Sequence, residues 1–331
     1  MTTIDIPQAP IPGITIRSFR DESDYARLAD LISTANTIDS IPYLPSANDL
    51  QIDMESAEGV DPIQDVVLVE AAGRLIAATG VERVVRDDVP TYDIWGSVDS
   101  NFRRRGLGTW LLGWTLDRVR ERADREDPST EVALGTFAEE RETGHRALLA
   151  GSGFLPVRHF FLMRRPLGEV VPDAPLPDGL EIRPVTLERR RTIFDAEDEA
   201  FRDHWGHRAM GDADYAKTFG RDGLDTDLWV VAWDGDEVAG VVQNWVWAEE
   251  NQRMGVRRGW LEHISVRRPW RRRGLARAIT AESLRRFREA GLDEAMLGVD
   301  SENPHGALGL YEGLGFEVHT RAAAYRRILA R

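Results

Sequence analysis

No cysteine occurs among the 331 residues, which excludes disulfides, thiolate metal sites and a cysteine nucleophile. Lysine is nearly absent as well. Lys217 is the only one, so arginine carries almost all of the positive charge. No stretch of about 18 uncharged apolar residues is present, and no membrane-spanning helix is expected. The residues from Met1 to Pro7 have neither a basic flank nor an apolar run, so no secretory leader is expected and a cytoplasmic location fits. The 42 basic residues are outnumbered by 56 acidic ones. A net charge of −14 repels phosphate backbones at long range and argues against a nucleic-acid partner.

Against that acidic background one phrase occurs twice. Val98-Asp-Ser-Asn-Phe-Arg103-Arg104-Arg105-Gly106-Leu107-Gly108 is matched by Val266-Arg-Arg-Pro-Trp-Arg271-Arg272-Arg273-Gly274-Leu275-Ala276-Arg277. Each copy leads from an apolar run through an Arg/Gly turn into a helical pattern. That layout gathers backbone N–H groups and guanidinium charge at a helix N-terminus, which suits a phosphate or pyrophosphate. A solvated basic patch is the plainer reading of the arginines, and their strand-loop-helix setting favours the anion site.

The match extends beyond the loops. Gly13-Ile-Thr-Ile-Arg17 pairs with Gly179-Leu-Glu-Ile-Arg183, and the strand-turn-strand at Gly73 pairs with that at Gly235. Gly153-Phe154 pairs with Gly315-Phe316, and Met163-Arg-Arg-Pro-Leu167 with Tyr325-Arg-Arg-Ile-Leu329. The offset stays near about 165 residues throughout, the signature of a duplicated domain. Pro166 to Gly179, with Pro172, Pro175 and Pro177, reads as the connection. The expected organisation is therefore an N-terminal domain over 1–165, a Pro-rich linker over 166–179 and a C-terminal domain over 180–331. Strands interleaved with helices make each half an α/β or α+β domain.

The second half holds chemistry that the first lacks. Trp260-Leu-Glu262-His-Ile264-Ser265-Val266 reads as a strand with Trp260, Glu262, Ile264 and Val266 on one face. A carboxylate among apolar side chains is costly unless it has a partner or a use. Asn303, a candidate helix cap, then leads through a short helix containing Tyr311 to a stop at Gly315.

Arg271-x-x-Gly274-x-Ala276 after a strand, followed by Asn303, Ala307, Leu310-Tyr311 and Gly315-Phe316, resembles the GNAT superfamily of N-acetyltransferases. The likeness covers both halves, so the fold it implies is two tandem GNAT-like domains, each a mixed, mostly antiparallel central sheet flanked by helices. It implies acetyl-CoA as co-substrate, transfer to the amine of a small molecule by direct attack, and no metal. Residues Arg271 to Arg277 would hold the pyrophosphate, and Ile264, Ser265 and Val266 would pair with the pantetheine arm, which Asn303 also lines. Glu262 would be the general base and Tyr311 the general acid. A carboxylic acid with an ordinary pKa near about 4.3 is a poor base at neutral pH, so partial burial of Glu262 is expected. Positions matching Glu262, Tyr311 and Asn303 in the first half are Ile94, Leu149 and Arg141. That half is expected to be silent, retaining Val98, Arg103 to Arg105, Gly106, Leu107 and Gly108 as an acyl-CoA loop without catalysis. Phe201, His204 and Trp205 are candidates for an aromatic lid over the acceptor; His204 and His207 lack a third ligand, so no metal site is expected. The tandem layout, with Leu162-Met-Arg-Arg-Pro-Leu167 before the linker, also resembles two-domain members of the family, a likeness that implies a cysteinyl amino sugar conjugate as an alternative acceptor; a non-catalytic acyl-CoA-binding protein is the other reading. A monomer or homodimer is expected.

Overall fold

A computed structural model describes residues 11–56, 60–86, 89–125, 131–221, 223–303 and 306–329. Two compact units are present: unit 1 comprises 1–157 with 323–331, and unit 2 comprises 158–322.

Unit 1 begins with β1 (Ile14–Ser18), α1 (Ser23–Asp39), α2 (Ala47–Ser56), α3 (Pro62–Asp65), β2 (Val66–Ala71), β3 (Arg74–Arg86) and β4 (Val89–Val98). It continues with α4 (Leu107–Ala123), β5 (Ala133–Glu139), α5 (Thr143–Gly151) and the start of β6 (Leu155–Pro166). Its strands lie in the order β1-β2-β3-β4-β5, antiparallel except for the parallel β4–β5 pair. Leu28, Leu50 and Leu68 form a core on the α1 and α2 side, while Leu107, Leu111 and Trp114 of α4 pack with Val67 and Ile76.

Unit 2 takes most of β6, then β7 (Glu181–Arg183), α6 (Arg190–Phe201), α7 (Asp212–Phe219), β8 (Val230–Asp234) and β9 (Glu237–Trp245). There follow α8 (Ala248–Met254), β10 (Arg258–Val266), α9 (Leu275–Glu289), β11 (Glu294–Asp300), α10 (Ala307–Glu312) and β12 (Glu317–Ile328). The order β7-β8-β9-β10-β11-β6 repeats the plan of unit 1, again with one parallel pair, β10–β11. Leu275, Ile279, Leu284 and Phe287 of α9 cover one face of the sheet; Ile193 and Ala196 of α6 cover the other, with Trp229, Trp233, Trp245 and Trp260.

The units differ from the sequence repeats at their edges. The last strand of each repeat is placed in the other unit: β6 pairs with β11 from Phe160 to Pro166, and the end of β12 lies beside β5, with Leu329 N–H donating to Val132 O at 2.9 Å. Arginines seal both exchanges. Arg165, fully buried, donates from Nε to Leu314 O at 2.6 Å, and its twin Arg327 donates to Ser152 O at 2.9 Å. Gly315, at φ +87°, lies so close that a Cβ there would sit 3.1 Å from Arg165 Nε. The Pro-rich segment is more than a tether. Past Pro166, the last residue of β6, it holds no helix or strand, yet Leu167, Val171 and Ala174 are buried in the core of unit 2.

Candidate active site

In unit 2 the site is built where two parallel strands part. β10 pairs with β11 only from Arg258 to Leu261, while its pairing with β9 continues to Val266. The edge of β10 from Glu262 onward therefore offers ladder groups with no partner on β11, a slot that an amide-bearing ligand can fill as an added strand would.

A bulge sits at the same place. The register of β10 on β9 shifts between Leu261 and His263, leaving Glu262 as the extra residue. One inserted residue reverses every side chain after it. This corrects the expectation that Trp260, Glu262, Ile264 and Val266 share a face. Trp260 packs on the α6 side, and Ile264 and Val266 on the α9 side. Glu262 is exposed rather than partly buried, and its Oε1 accepts from the Trp247 indole at 3.1 Å.

His263, the next residue, reaches the α6 side. Its Nδ1 lies 2.5 Å from Glu197 Oε1, and the Gln243 side-chain amide donates to Glu197 Oε2, also at 2.5 Å. Glu197 is fully buried, and His263 is 46% exposed. Loss of water lowers the proton affinity of the ring; the Glu197 carboxylate outweighs that loss by charge and hydrogen bond, with Glu262 adding to it, so the His263 pKa is raised.

The Arg/Gly loop follows. Arg272 at φ 60° and Gly274 at φ 86° turn the chain into α9, whose first N–H groups have no helical acceptor. Not all its arginines are available to a ligand. Arg271 donates to Val266 O at 2.9 Å, to Ala200 O at 3.0 Å and to Asp203 at 2.6 Å. Arg268 and Arg271 together hold the Asp203 carboxyl well below the usual carboxylate range. Arg267 pairs with Glu199, and Arg277 donates to Gly313 O. Arg272 and Arg273 are exposed and have no ion pair among the described residues. Leu275 is buried, so what it and Ala276 can offer an anion is backbone N–H.

Tyr311 on α10 is buried beside Phe316, and burial pushes its phenol well up from the ordinary value. Its hydroxyl makes no hydrogen bond within the described residues. Asn303 is not the helix cap; Gly306 holds that position, and Asn303 O accepts from its N–H at 3.3 Å. Residues 304–305 lie outside the described residues. Among the lid candidates, Phe201 touches both His204 (ring centroids 4.4 Å apart) and His263 (5.3 Å). Trp205 instead lies 6.1 Å from Phe160, with Arg158 over its ring.

Unit 1 repeats the loop and the parting of strands but not the rest. Arg103 donates to Val98 O at 3.0 Å and twice to Asp39 at 2.8 Å, as Arg271 does to Val266 and Asp203. Arg104 at φ 62° and Gly106 at φ 88° make the same turn into α4, beginning with buried Leu107, and Arg105 lies over Phe102. A Cβ at Gly108 would sit 3.5 Å from the Leu148 side chain on α5. β4 pairs with β5 only from Thr91 to Asp93. The β3–β4 ladder runs from Val89 to Val98 without a shift, so there is no bulge, and Ile94 and Leu149 are core residues. Arg141 donates to Ser40 O.

Sequence reading missed Glu197, Gln243 and the paired Asp39 and Asp203. The two aspartates carry a usable signal, since they keep the repeat's offset at the ends of equivalent helices. Glu197 carries none, because its partner stands on a strand far along the chain.

Comparison with known proteins agrees with this geometry. The model of the acetyltransferase (GNAT) family matches residues 190–316. The mycothiol acetyltransferase of Salinispora arenicola is 30% identical over 76% of this chain and 74% of its own length. That of Catenulispora acidiphila is 26% identical over 95% of this chain and 99% of its own. Among solved structures, a GCN5-related N-acetyltransferase from Sphaerobacter thermophilus superposes with a TM-score of 0.72 at 27% identity, covering 96% of each chain. The chain belongs to the GNAT family of acetyltransferases, and it carries two GNAT-like units in tandem.

Proposed function

We propose that unit 2 transfers an acetyl group from acetyl-CoA to the primary amine of a small polar molecule, and that unit 1 is catalytically silent. One observation carries this reading: the bulge in β10 stands where β10 leaves β11, and unit 1 has the parting without the bulge. The residues fit acetyl-CoA. The N–H groups opening α9, with Arg272 and Arg273 beside them, suit a pyrophosphate, and the open edge from Ile264 to Val266 suits the amides of the pantetheine arm. A β10 N–H in that edge can polarise the thioester carbonyl. Tyr311, its hydroxyl without a hydrogen bond among the described residues and its pKa high, stays a neutral donor for the departing thiolate. The amine's proton leaves toward the bulge, where Glu262, the group the sequence points to, stands beside His263.

The acceptor is an amine drawn to the charge of Glu262 and covered by Phe201 and His204. Likeness to mycothiol acetyltransferases over almost the whole chain favours a narrower reading, in which that amine belongs to a cysteinyl amino sugar conjugate. A screen of amines and aminoacyl conjugates for release of CoA thiol from acetyl-CoA tests both. Turnover of the cysteinyl amino sugar alone supports the narrower reading. Tight acetyl-CoA binding with no turnover of any amine overturns the enzymatic reading in favour of an acyl-CoA-binding protein.

A further inference from the structure

Glu197 presents a physical problem that the reading above leaves unsolved. It is a carboxylate with no solvent exposure, on the face of α6 that carries Ile193, Ala196 and Ala200. No arginine or lysine pairs with it among the described residues; its partners are His263 and the neutral amide of Gln243. An ionised group so placed is expensive unless a partner or a task compensates. Gln243 and His263 stand opposite each other on β9 and β10, so one cross-strand pair grips both carboxylate oxygens. The bulge makes this possible. Without the extra residue at Glu262, the side chain of His263 would turn to the α9 side, away from Glu197.

We propose that His263 is the general base of acetyl transfer, with Glu197 as its positioning residue and Gln243 holding Glu197. The proposal rests on the reading that unit 2 is the acetyltransferase site. With Nδ1–H donating to Glu197, the lone pair of the neutral ring lies on Nε2, the nitrogen without a partner among the described residues. The half-exposed ring stands against Phe201, next to the open edge of β10. The charged groups facing it are Glu197 from α6 and Glu262 from its own strand; β9 contributes only neutral Gln243. Glu262, exposed and held by Trp247, then attracts the ammonium form of the acceptor.

The step balances as follows. Nε2 takes one proton from the ammonium group, giving an imidazolium paired with Glu197 and a neutral amine. The nitrogen lone pair forms the C–N bond at the thioester carbonyl, and the C–S bond breaks with its electron pair on sulfur. Tyr311 protonates that sulfur and is reprotonated through solvent by the second proton leaving nitrogen. The imidazolium returns its proton to water, so each turnover yields amide, CoA thiol and one proton.

The raised His263 pKa sets the direction of the pH dependence. The ring acts as a base only when neutral, so kcat/KM rises with pH to a plateau above that pKa. Glu197→Gln removes the charge that raised it but leaves the burial, so the acid limb moves to lower pH. The test uses the full chain with acetyl-CoA and three amine probes, S-methylcysteinyl-glucosamine, spermidine and phenethylamine, over pH 6 to 9.5 (roughly the window of His titration and amine deprotonation). In Glu197→Gln the limb is expected to shift down and the plateau to fall about tenfold, and Glu197→Asp restores part of both. In His263→Gln the limb disappears and the rate falls about 100-fold or more. Glu262→Gln keeps an acid limb, moved down by less than in Glu197→Gln because Glu262 makes the smaller contribution to the raised pKa, and raises the KM of the amine. A Glu197→Gln rate that falls with the limb in place makes Glu197 merely structural and overturns the proposal; a limb abolished by Glu262→Gln instead assigns the base to Glu262. Should His263→Gln fail to fold, the ring's own titration in the wild type and in Glu197→Gln, followed by histidine NMR, decides: an ordinary pKa in both overturns the pairing. Failure of the wild type to acetylate any probe while binding acetyl-CoA refutes the functional reading and this role together, whereas transfer with an unmoved limb refutes the role alone.

Discussion

Replacing Arg271 by alanine separates two uses of an arginine that look alike in sequence. As a phosphate contact, Arg271 would matter only to ligand affinity. As a brace, it ties the loop to the end of β10 and to the end of α6 through Val266 O, Ala200 O and Asp203. Two bonds to carbonyl oxygens contribute about 0.5–1.5 kcal/mol each, and a charge-assisted bond about 1.5–3 kcal/mol. The side chain of Arg271 is 21% exposed and Asp203 keeps Arg268, so the total is discounted to about 2–3 kcal/mol. For a unit of this size, that lowers the melting temperature by roughly 4–12 °C. Scanning calorimetry of Arg271→Ala reads the shift, and isothermal titration with acetyl-CoA reads affinity. Arg103→Ala in unit 1 removes matching bonds to Val98 O and Asp39, and its transition falls by a similar amount. Arg272→Ala and Arg273→Ala behave in the opposite way: melting stays within about 0.5 kcal/mol of wild type, and acetyl-CoA affinity drops more at low salt than at high. An Arg271→Ala protein that melts like the wild type, yet binds acetyl-CoA more weakly, would refute the bracing argument.

Three further outcomes follow from the same structure. Gly274→Val abolishes acetyl-CoA binding in unit 2, because φ 86° costs a side-chain-bearing residue about 1–2 kcal/mol and a Cβ there meets nothing, so the damage is to the turn itself; Gly274→Asn, which tolerates that region better, recovers part of the binding, and tight binding by the valine variant removes the loop from this role. Tyr311→Phe keeps its stability within about 0.5 kcal/mol, since no hydrogen bond within the described residues is lost, while turnover falls about 100-fold or more; appreciable residual transfer would show either another acid or an active unit 1. Asp24→Asn destabilises unit 1 by about 1.5–3 kcal/mol at neutral pH: buried Arg17 loses its bidentate charged partner but keeps Glu70, so its charge is not left unpaired. Burial raises the Asp24 pKa, but Arg17 and the Arg20 N–H more than offset it, so the folded value lies below the unfolded one. The stabilisation is therefore present above the unfolded pKa and is lost as pH falls through the folded one. Acid unfolding of the wild type followed by circular dichroism shows that slope, and an unchanged slope in Asp24→Asn would exclude this pair as its source.

Local pattern carried much of the fold into the sequence. The repeated Arg/Gly phrase, Gly13 and Gly179 before short strands, and the turns at Gly73 and Gly235 are each properties of a few neighbouring residues. Their conformations are set by φ preference and alternation, and the structure places the same elements there. The site was legible only in part. Reading β10 with a strict period of two put Glu262 among apolar side chains; one bulge moved it into solvent and turned His263 toward Glu197. Reading the run from Arg271 to Arg277 as holding a pyrophosphate missed that Arg271, with Arg267 and Arg268 before it, is engaged by Glu199 and Asp203 at the end of α6.

What the sequence determined by itself is the duplication, the family, and the inequality of the two halves: Glu262 and Tyr311 against Ile94 and Leu149 are differences in side chains, and no folding is needed to see them. What only the tertiary structure decided is which groups meet. The exchange of β6 and β12, the bracing of Arg103 and Arg271, and the pairing of Glu197 with His263 join residues tens to more than a hundred positions apart. Such contacts depend on strand register and on the path of the chain between elements, and a one-residue bulge is enough to change which side chain faces the site.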